Sequence, residues 1–248
     1  METINDLVGF KDLKIIQNTE WFNFSLDSVL LANFVTINSR VKKIIDLGTG
    51  NAPIPLILST KTKAHIYGIE IQSSVYDLAL KSIKINNLEE QITIINKDIK
   101  EINDDFQSDS YDVITCNPPF FKNNNNSIIN QNDHKTIARH EVMMTIDDIL
   151  KISRKLLKNN GYLGIVHRPE RLVEILEKMK NYNIEPKRIQ FVYPKRNGNC
   201  NNILIEGVKN GKSGLKILPP LIIHENNGQY TKEVLMMFGS DINEAEKL

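Results

Sequence analysis

Cysteine is scarce in this chain: Cys116 and Cys200 are its only two, 84 positions apart. They form neither a disulfide framework nor the spacing of a zinc site, which predicts a reducing, cytoplasmic environment. The five histidines are scattered without a pair at ligand spacing, so we expect no metal. Long hydrophobic runs are also missing, since no stretch approaches the roughly 18 residues that a membrane helix needs. We therefore expect no membrane partner, and the acidic, polar amino terminus does not have the pattern of a secretory signal.

The net charge is only +1, but the charges are unevenly distributed. Residues 151–200 contain 12 lysines and arginines against four acidic residues, so the rest of the chain is acidic. This excess predicts a basic face suited to a phosphate backbone, with an ordinary solvated surface as the alternative. The length and the 41% hydrophobic content predict one α/β domain over residues 1–248.

The most informative stretch is 111–121, where a short apolar strand ends in Asn117-Pro118-Pro119. Neither proline can donate to a sheet ladder, and the first restricts Asn117 to an extended conformation. This predicts a rigid elbow at the carboxyl end of a buried strand, where open α/β sheets bind ligands. The Asn117 side chain and the Pro118 carbonyl can accept two hydrogen bonds from a flat amine, with Phe120 stacked on its ring. The alternative is an ordinary turn, which Asn-Pro often starts.

Three strands before the elbow each end near an acidic residue. The first carries Asp46 and enters the glycine-rich turn 48–51, but Pro53 stands where a dinucleotide fingerprint has its third glycine. A carboxylate beside the turn suits an ammonium group better than a phosphate. Glu70 is placed to accept ribose hydroxyls, and Asp98 to accept an adenine amino group. Together they predict a nucleoside with a cationic tail, and S-adenosylmethionine is such a ligand.

The predicted reaction is in-line transfer of the sulfonium methyl group to an amine nitrogen held at Asn117. An aromatic amine is a poor nucleophile because its lone pair is delocalised into the ring. The two acceptors at the elbow would draw the amine hydrogens out of plane and localise that lone pair. Positioning and electrostatics then provide most of the catalysis, and no strong base is needed.

The motifs at 46–50 and 117–120 resemble those of Rossmann-like amino-group methyltransferases. More narrowly, the segments 24–32, 138–141 and 167–172 resemble bacterial tRNA adenine-N6 methyltransferases. Those enzymes modify the adenosine just 3′ of the anticodon in a valine tRNA. The likeness covers most of the chain, although it does not explain the asparagine-rich stretch after Phe121.

The resemblance implies a Rossmann-like class I methyltransferase fold, an α/β fold with a seven-stranded, mostly parallel sheet, one antiparallel strand and helices on both faces. It also implies S-adenosylmethionine as methyl donor, a tRNA anticodon stem-loop as partner and an adenine flipped out of a loop. Residues 1–38 are expected as an extension packing on the cofactor side of a monomer or weak homodimer.

The expected catalytic residues are Asn117, Pro118 and Phe120. The expected cofactor-binding residues are Asp27, Asp46, Gly48, Gly50, Asn51, Glu70, Asp98 and Asn117. The expected RNA-binding residues are Phe121, Arg139, Arg168, Arg171, Lys195 and Arg196.

Three other readings stay open. The same chemistry could act on ribosomal RNA, on DNA or on a glutamine of a release factor, since the elbow motif specifies the reaction and not the substrate. A nicotinamide-dependent oxidoreductase is disfavoured by the missing third glycine. A non-catalytic RNA-binding or chaperone module would use the basic face alone.

Several element predictions follow from local patterns. Residues 1–20 are expected as a lead-in or short hairpin, and Ser25 or Asp27 as the cap of the next helix. The polar stretch 122–133 is expected as a surface loop, either a lid or a tolerated insertion. Helices are expected over 53–59 and 145–159. A further helix is expected to open at 167–171 and to end at about 181. Strands are expected over 162–166, 188–193, 202–208 and 233–238, with an extended connector over 218–224.

Overall fold

The computed structural model describes residues 2–7, 10–18, 25–102, 106–119 and 144–239. The strands are β1 (Glu2–Leu7), β2 (Phe10–Asn18), β3 (Lys43–Leu47), β4 (His65–Glu70), β5 (Ile92–Asn96), β6 (Tyr111–Cys116), β7 (Leu157–His167), β8 (Ile184–Lys195), β9 (Asn202–Lys209), β10 (Lys216–Ile217) and β11 (Leu221–His224). The α-helices are α1 (Leu26–Phe34), α2 (Pro53–Ser59), α3 (Ser73–Ile85), α4 (Ile146–Leu156), α5 (Leu172–Asn181) and α6 (Lys232–Met237).

Nine of these strands form one sheet in the order β10-β8-β9-β7-β6-β3-β4-β5, with β11 also paired to β8. Strand β9 runs antiparallel to β7 and β8, and the other pairs are parallel. The predicted class, mostly parallel with one antiparallel strand, is confirmed. The predicted count of seven was too low, because the short β10 and β11 add to the edge at β8. The segment 218–224 was predicted as an extended connector, yet β11 pairs with β8 directly after Pro219 and Pro220.

The central strands read as nearly continuous apolar runs because helices cover both faces of the sheet. One hydrophobic cluster joins α1, α2, α3 and α6 to one face, and a second joins α4 and α5 to the other. Strand β3 shows the alternation: Ile44 belongs to the first cluster, whereas Ile45 and Leu47 belong to the second. Because helices cover both faces, ligands would bind at the ends of the strands or at the edges of the sheet.

The boundaries of two elements differ from the sequence predictions. Helix α4 ends at Leu156 rather than at 159, because Leu157 already pairs with Tyr111 as the start of β7. Residues 233–238 were predicted as a strand, but Lys232–Met237 is helical. The helix is capped by Thr231, whose side-chain oxygen accepts a hydrogen bond from the Val234 amide. The predicted helix over 53–59 is confirmed as α2.

The first described residues form an antiparallel hairpin, β1–β2, as one of the two sequence readings predicted. The Ile16 amide donates to Ser82 Oγ at 3.0 Å, and Asn86 exchanges two hydrogen bonds with the Lys14 backbone. Asn51 of the glycine turn donates to the Ile16 carbonyl at 2.9 Å. The hairpin is therefore attached to both α3 and the glycine turn. Its packing on a cofactor stays a prediction.

No helix within the described ranges is long and apolar enough to cross a membrane. The same residues contain no cluster of three or more His, Cys, Asp or Glu side chains that could hold a metal ion.

Candidate active site

Strand register brings most of the predicted residues to one edge of the sheet. The pairing of β3 with β6 and β4 sets Gly48 between Asn117 and Glu70. Glu70 in turn pairs with Asn96, and Asp98 follows two residues later. Because these strands are parallel, their carboxyl ends form a single rim, the place where such folds bind ligands.

Asp46 lies two residues below this rim, level with Thr115 on β6. Its side chain is buried, and Oδ1 accepts a hydrogen bond of 2.7 Å from the Thr115 hydroxyl. No described residue hydrogen-bonds to Oδ2. Burial raises the pKa of Asp46 to about 7, Glu70 adds to the rise, and the Thr115 hydroxyl opposes it. Register places Asp46 inside the sheet, and its expected contact with an ammonium group stays a prediction.

The glycine turn has a left-handed backbone at alternate residues: φ is +67° at Gly48, +59° at Gly50 and +70° at Ala52. Among the described residues, a Cβ at Gly50 would meet no atom within 4 Å, whereas at Gly48 it would lie 2.8 Å from Met144 Cε. Ala52 is buried and carries a conformation that non-glycine residues rarely adopt. The sequence reading noted Pro53 and missed this strained neighbour. With no described atom over Gly50, a ligand could approach the backbone closely there.

The Glu70 carboxylate braces this turn from the neighbouring strand. Its two oxygens accept hydrogen bonds of 2.9 Å from the backbone amides of Gly50 and Gln72. Burial raises its pKa, and these two amides oppose the rise. A carboxylate offers about four lone-pair sites, so contact with ribose hydroxyls is compatible with both bonds and stays a prediction.

Two other predicted cofactor contacts already have structural partners. Asp98 caps the short 3₁₀ helix Ile99–Glu101, with Oδ1 accepting from the Lys100 amide at 2.9 Å. The Asn51 side-chain nitrogen is used by the hairpin at Ile16. Sequence patterns could not show either bond, because the first needs the local turn and the second a residue 35 positions away. Their roles toward a cofactor stay predictions.

Asn117 is held from a different element, the amino-terminal turn of α1. Its Nδ2 donates to Ser28 Oγ at 3.1 Å and approaches Ser25 Oγ at 3.5 Å. The side-chain oxygen receives no hydrogen bond from the described part of the chain. It can therefore accept one from a ligand, as the elbow hypothesis requires. Phe120 lies outside the described residues, as do Phe121 and Arg139.

Asp27 was expected either to cap α1 or to face a cationic ligand, and it does not cap the helix. Its Oδ1 accepts a hydrogen bond from Asn202 Nδ2 at 2.5 Å. Burial raises the pKa of Asp27, while Arg168 and the Asn202 bond oppose the rise. Ser25 has cap geometry but makes no side-chain cap bond. The sequence reading treated Ser25 and Asp27 as capping candidates and missed Ser28, although the Ser-x-x-Ser spacing puts two hydroxyls on one helix face.

The described basic candidates follow the rim away from Asn117. Arg168 comes after β7, Lys195 ends β8, and Arg196 lies in the next turn, all three exposed. Both strands run antiparallel to β9, so their carboxyl ends share the Asn117 edge. Arg168 donates to the Asn201 carbonyl at 3.0 Å and to the side chain of Asn202 at 2.8 Å.

Arg171 forms an ion pair with an acidic residue of the same turn. Its guanidinium binds Glu174 through two hydrogen bonds, the one from Nη2 being 2.7 Å long. The pair lowers the pKa of Glu174 to about 2. The expected phosphate contact is therefore weakened at Arg171, because its charge is already neutralised locally.

Comparison with known proteins adds to this geometry. Residues 38–217 match a family model described as a methyltransferase domain. The chain belongs to this methyltransferase family. The methyltransferase is 24% identical over 246 residues to a tRNA1(Val) (adenine(37)-N6)-methyltransferase of Flavobacterium psychrophilum, covering 93% of this chain and 97% of that relative. A protein of the same name from Trichodesmium erythraeum is 28% identical over 200 residues, which covers 79% of this chain and 82% of the relative.

Solved structures share the fold of this methyltransferase. A predicted O-methyltransferase from Agrobacterium tumefaciens superposes with a TM-score of 0.70 at 18% identity, over 86% of this chain and 96% of that one. A geranyl diphosphate methyltransferase in complex with SAM gives a TM-score of 0.55 at 8% identity, over 73% of this chain and 84% of the other.

Proposed function

We propose that this chain is an S-adenosylmethionine-dependent methyltransferase acting on the exocyclic N6 amine of an adenosine in tRNA. The expected target is adenosine 37 of tRNA1(Val), beside the anticodon, which places the protein in the cytoplasm. One observation carries the proposal: the Asn117 amide stands beside the glycine turn with its nitrogen bound to α1 and its oxygen available as an acceptor. The names of relatives that align with nearly the whole chain support the choice of substrate.

The residues around the glycine turn fit S-adenosylmethionine. Within the described ranges, two buried polar atoms, Asp46 Oδ2 and Thr49 Oγ1, have no hydrogen-bond partner, and no atom lies within 4 Å of a Cβ built at Gly50. Glu70 would hold the ribose and Asp98 the adenine amino group, which keeps the predicted order along the rim. When bound, S-adenosylmethionine supplies a methyl group on a positively charged sulfur.

The elbow would hold the substrate amine. The Asn117 side-chain oxygen accepts one amine hydrogen and the Pro118 carbonyl the other, so both hydrogens leave the plane of the ring. The nitrogen lone pair then points away from the ring and becomes nucleophilic. Holding the amine in this geometry lowers the barrier by orientation and by hydrogen bonding to developing charge.

The substrate RNA would follow the rim from Asn117 toward Arg168, Lys195 and Arg196. Adjacent strands are about 4.8 Å apart, so the step from β6 across β7 and β9 to β8 spans roughly 14 Å, or about two nucleotides. An anticodon loop suits this layout, because a loop base flips out without loss of base pairing. A monomer or weak dimer would be sufficient for methyl transfer, since one chain contains all the cofactor-binding and RNA-binding residues proposed above.

The test uses purified protein, S-adenosylmethionine and unmodified tRNA1(Val) transcript, with digestion to nucleosides and mass spectrometry for N6-methyladenosine. We expect methylation of the wild-type transcript and none of a transcript with guanosine at position 37. Ribosomal RNA, DNA and a release factor are offered in parallel. Methylation of one of these and not of tRNA would contradict the proposed substrate. Calorimetry measures binding of S-adenosylmethionine and of NAD, and binding of NAD alone would favour the oxidoreductase. Absence of methyl transfer to any substrate would favour a non-catalytic binding module.

A further inference from the structure

The side chain that presents Asn117 comes from α1 and lies in the protein interior. Ser28 is 5% exposed, and its Oγ accepts the hydrogen bond of 3.1 Å from Asn117 Nδ2. Ser25 lies one turn earlier and reaches the same nitrogen at 3.5 Å, the long limit for such a bond. Two hydroxyls from one helix therefore converge on one end of the amide.

Because Ser25 faces Asn117, helix α1 lacks the side-chain hydrogen bond that would cap its amino terminus. Ser25 stands at the N-cap with φ −105° and ψ 153°, which is the conformation of a capping residue. Its side chain makes no cap hydrogen bond and instead faces Asn117. The helix thus leaves amides of its first turn without a side-chain partner, while the serine contributes to the site.

The far end of α1 is fixed to the sheet, which makes the helix a rigid support. The Glu206 carboxylate accepts a bond of 2.6 Å from the Thr36 amide, and Arg188 donates to the Phe34 carbonyl at 2.6 Å. Arg188 and Glu206 are themselves paired at 2.8 Å, with the Glu206 side chain buried. A side chain on such an anchored helix is held more precisely than one on a loop.

We propose that Ser28 is a positioning residue for methyl transfer, holding Asn117 with its nitrogen toward α1 and its oxygen toward the substrate amine. Ser25 supplies a weaker second contact. The inference rests on the proposed function for its catalytic consequence, but the side-chain geometry can be tested without substrate.

The physical reason is that an amide side chain can turn by half a rotation with little intrinsic preference. The reversed amide would point its own NH2 at the amine, setting donor against donor, and the lone pair of the amine would stay delocalised. The hydrogen bonds from Nδ2 to the hydroxyls on α1 hold the amide plane in the conformation that leaves Oδ1 available to the substrate amine. Removing the Ser28 hydroxyl removes the shorter of these bonds, so the amide can rotate and its oxygen loses its fixed position.

The experiment compares Ser28→Ala with Ser153→Ala. Ser153 is also a fully buried helical serine, in α4, and its hydroxyl has no hydrogen-bond partner within the described ranges. The two variants thus make the same chemical change, and only one touches Asn117. Readouts are the side-chain amide signals of Asn117 in a ¹H–¹⁵N spectrum, assigned by their loss in Asn117→Ala, together with kcat, KM for tRNA and melting temperature.

We expect Ser28→Ala to shift or broaden the Asn117 amide signals and to lower kcat about tenfold, the fold-change of one neutral hydrogen bond. KM for tRNA should stay within about twofold, since phosphate contacts dominate RNA affinity. Ser153→Ala should match the wild type in the Asn117 signals, kcat and KM, and its melting temperature should be equal or higher, because its hydroxyl is buried without a partner in the described ranges.

Unchanged Asn117 signals and kcat in Ser28→Ala would overturn the positioning role while leaving the proposed function intact. If instead the wild type methylates no tRNA, the proposed function fails, and the amide signals still decide whether Ser28 holds Asn117. Equal losses in the two variants would assign the effect to general packing and also overturn the inference.

Discussion

The two sides of the glycine turn hold their polar side chains in different ways. On one side, the Asp46 and Glu70 carboxylates are enclosed by the sheet's own hydroxyls and backbone amides. On the other, Asn117 is held at one end by α1 and leaves an acceptor on its other end. The contacts of Asp46 and Glu70 are therefore mainly structural, whereas Asn117 at the elbow leaves an acceptor for a ligand. Substitutions should therefore affect stability on the first side and reaction rate on the second.

The amino termini of α1 and α4 repeat this contrast. Helix α4 begins with a complete capping box, in which Thr145 and Asp148 each bind the other's backbone amide. Helix α1 has cap-competent side chains at Ser25 and Asp27, but Ser25 faces Asn117 and Asp27 binds Asn202 instead. Helix α4 uses its cap for stability, and the helix whose serines contact Asn117 does not.

The largest expected effect is on stability, from Asp46→Asn. The folded-state pKa of Asp46 is about 7, above the unfolded value near 3.9, so its contribution to stability is greatest below pH 4 and is lost as the pH rises to 7. The neutral amide removes this loss. Urea unfolding at pH 8 should show the variant more stable than the wild type by up to about 4 kcal/mol, with a much smaller difference at pH 4.

Asp112→Asn provides a control with the opposite sign. Burial is the largest influence on the pKa of Asp112 and raises it, but the hydrogen bonds from Lys158, Lys42 and Lys43 together lower it. Its contribution is therefore present above the unfolded pKa and lost in acid. This variant should lose stability at pH 8. A gain in stability at pH 8 in both variants would show that the effect of Asp46→Asn does not come from the raised pKa of Asp46.

Asn117→Ala tests the elbow side directly. Removing the only acceptor side chain at the elbow should lower kcat by about a hundred- to a thousandfold, as loss of a preorganised hydrogen bond in other active sites does. S-adenosylmethionine affinity by calorimetry and the melting temperature should change little, because the side chain is only half-buried. Full activity in this variant would remove the central claim about Asn117.

Much of this layout follows from local sequence patterns. Two prolines end β6 at Asn117 because they cannot donate to a ladder, and this holds whatever surrounds them. Acidic residues near the ends of successive parallel strands must share an edge, and Glu70 and Asp98 do so. The helix at Pro53 was also predictable, since proline favours the first turn.

The remainder depends on contacts between distant segments. Asp46 is buried because the register of β3 with β6 sets it level with Thr115, and a pattern within one strand cannot fix register. Helix α4 stops at Leu156 because the next residue pairs with Tyr111, 46 positions earlier. The role of Ser28 needs α1 to dock beside Asn117, which is 89 residues away.

Thr145→Ala measures what a cap contributes when it serves the helix alone. Loss of the Thr145 hydroxyl removes the bond of 3.1 Å from the Asp148 amide. The free energy of unfolding in urea should fall by about 1 kcal/mol. The value of kcat should stay within about twofold of the wild type. A large loss of activity without loss of stability would contradict the assignment of this helix terminus to folding.

Ser25→Ala is the matched substitution at the other helix and has the smallest expected effect. Because the Ser25 side chain makes no cap bond, its removal should leave the unfolding free energy within about 0.3 kcal/mol of the wild type, well below the usual cost of a lost cap. The long contact of 3.5 Å to Asn117 is weak, so kcat should fall only about two- to threefold. Parallel urea unfolding and methyl-transfer assays on the two cap variants give the decisive pattern. Stability should change only in Thr145→Ala and rate only in Ser25→Ala, whereas a stability loss in both would mean that Ser25 caps α1 in solution.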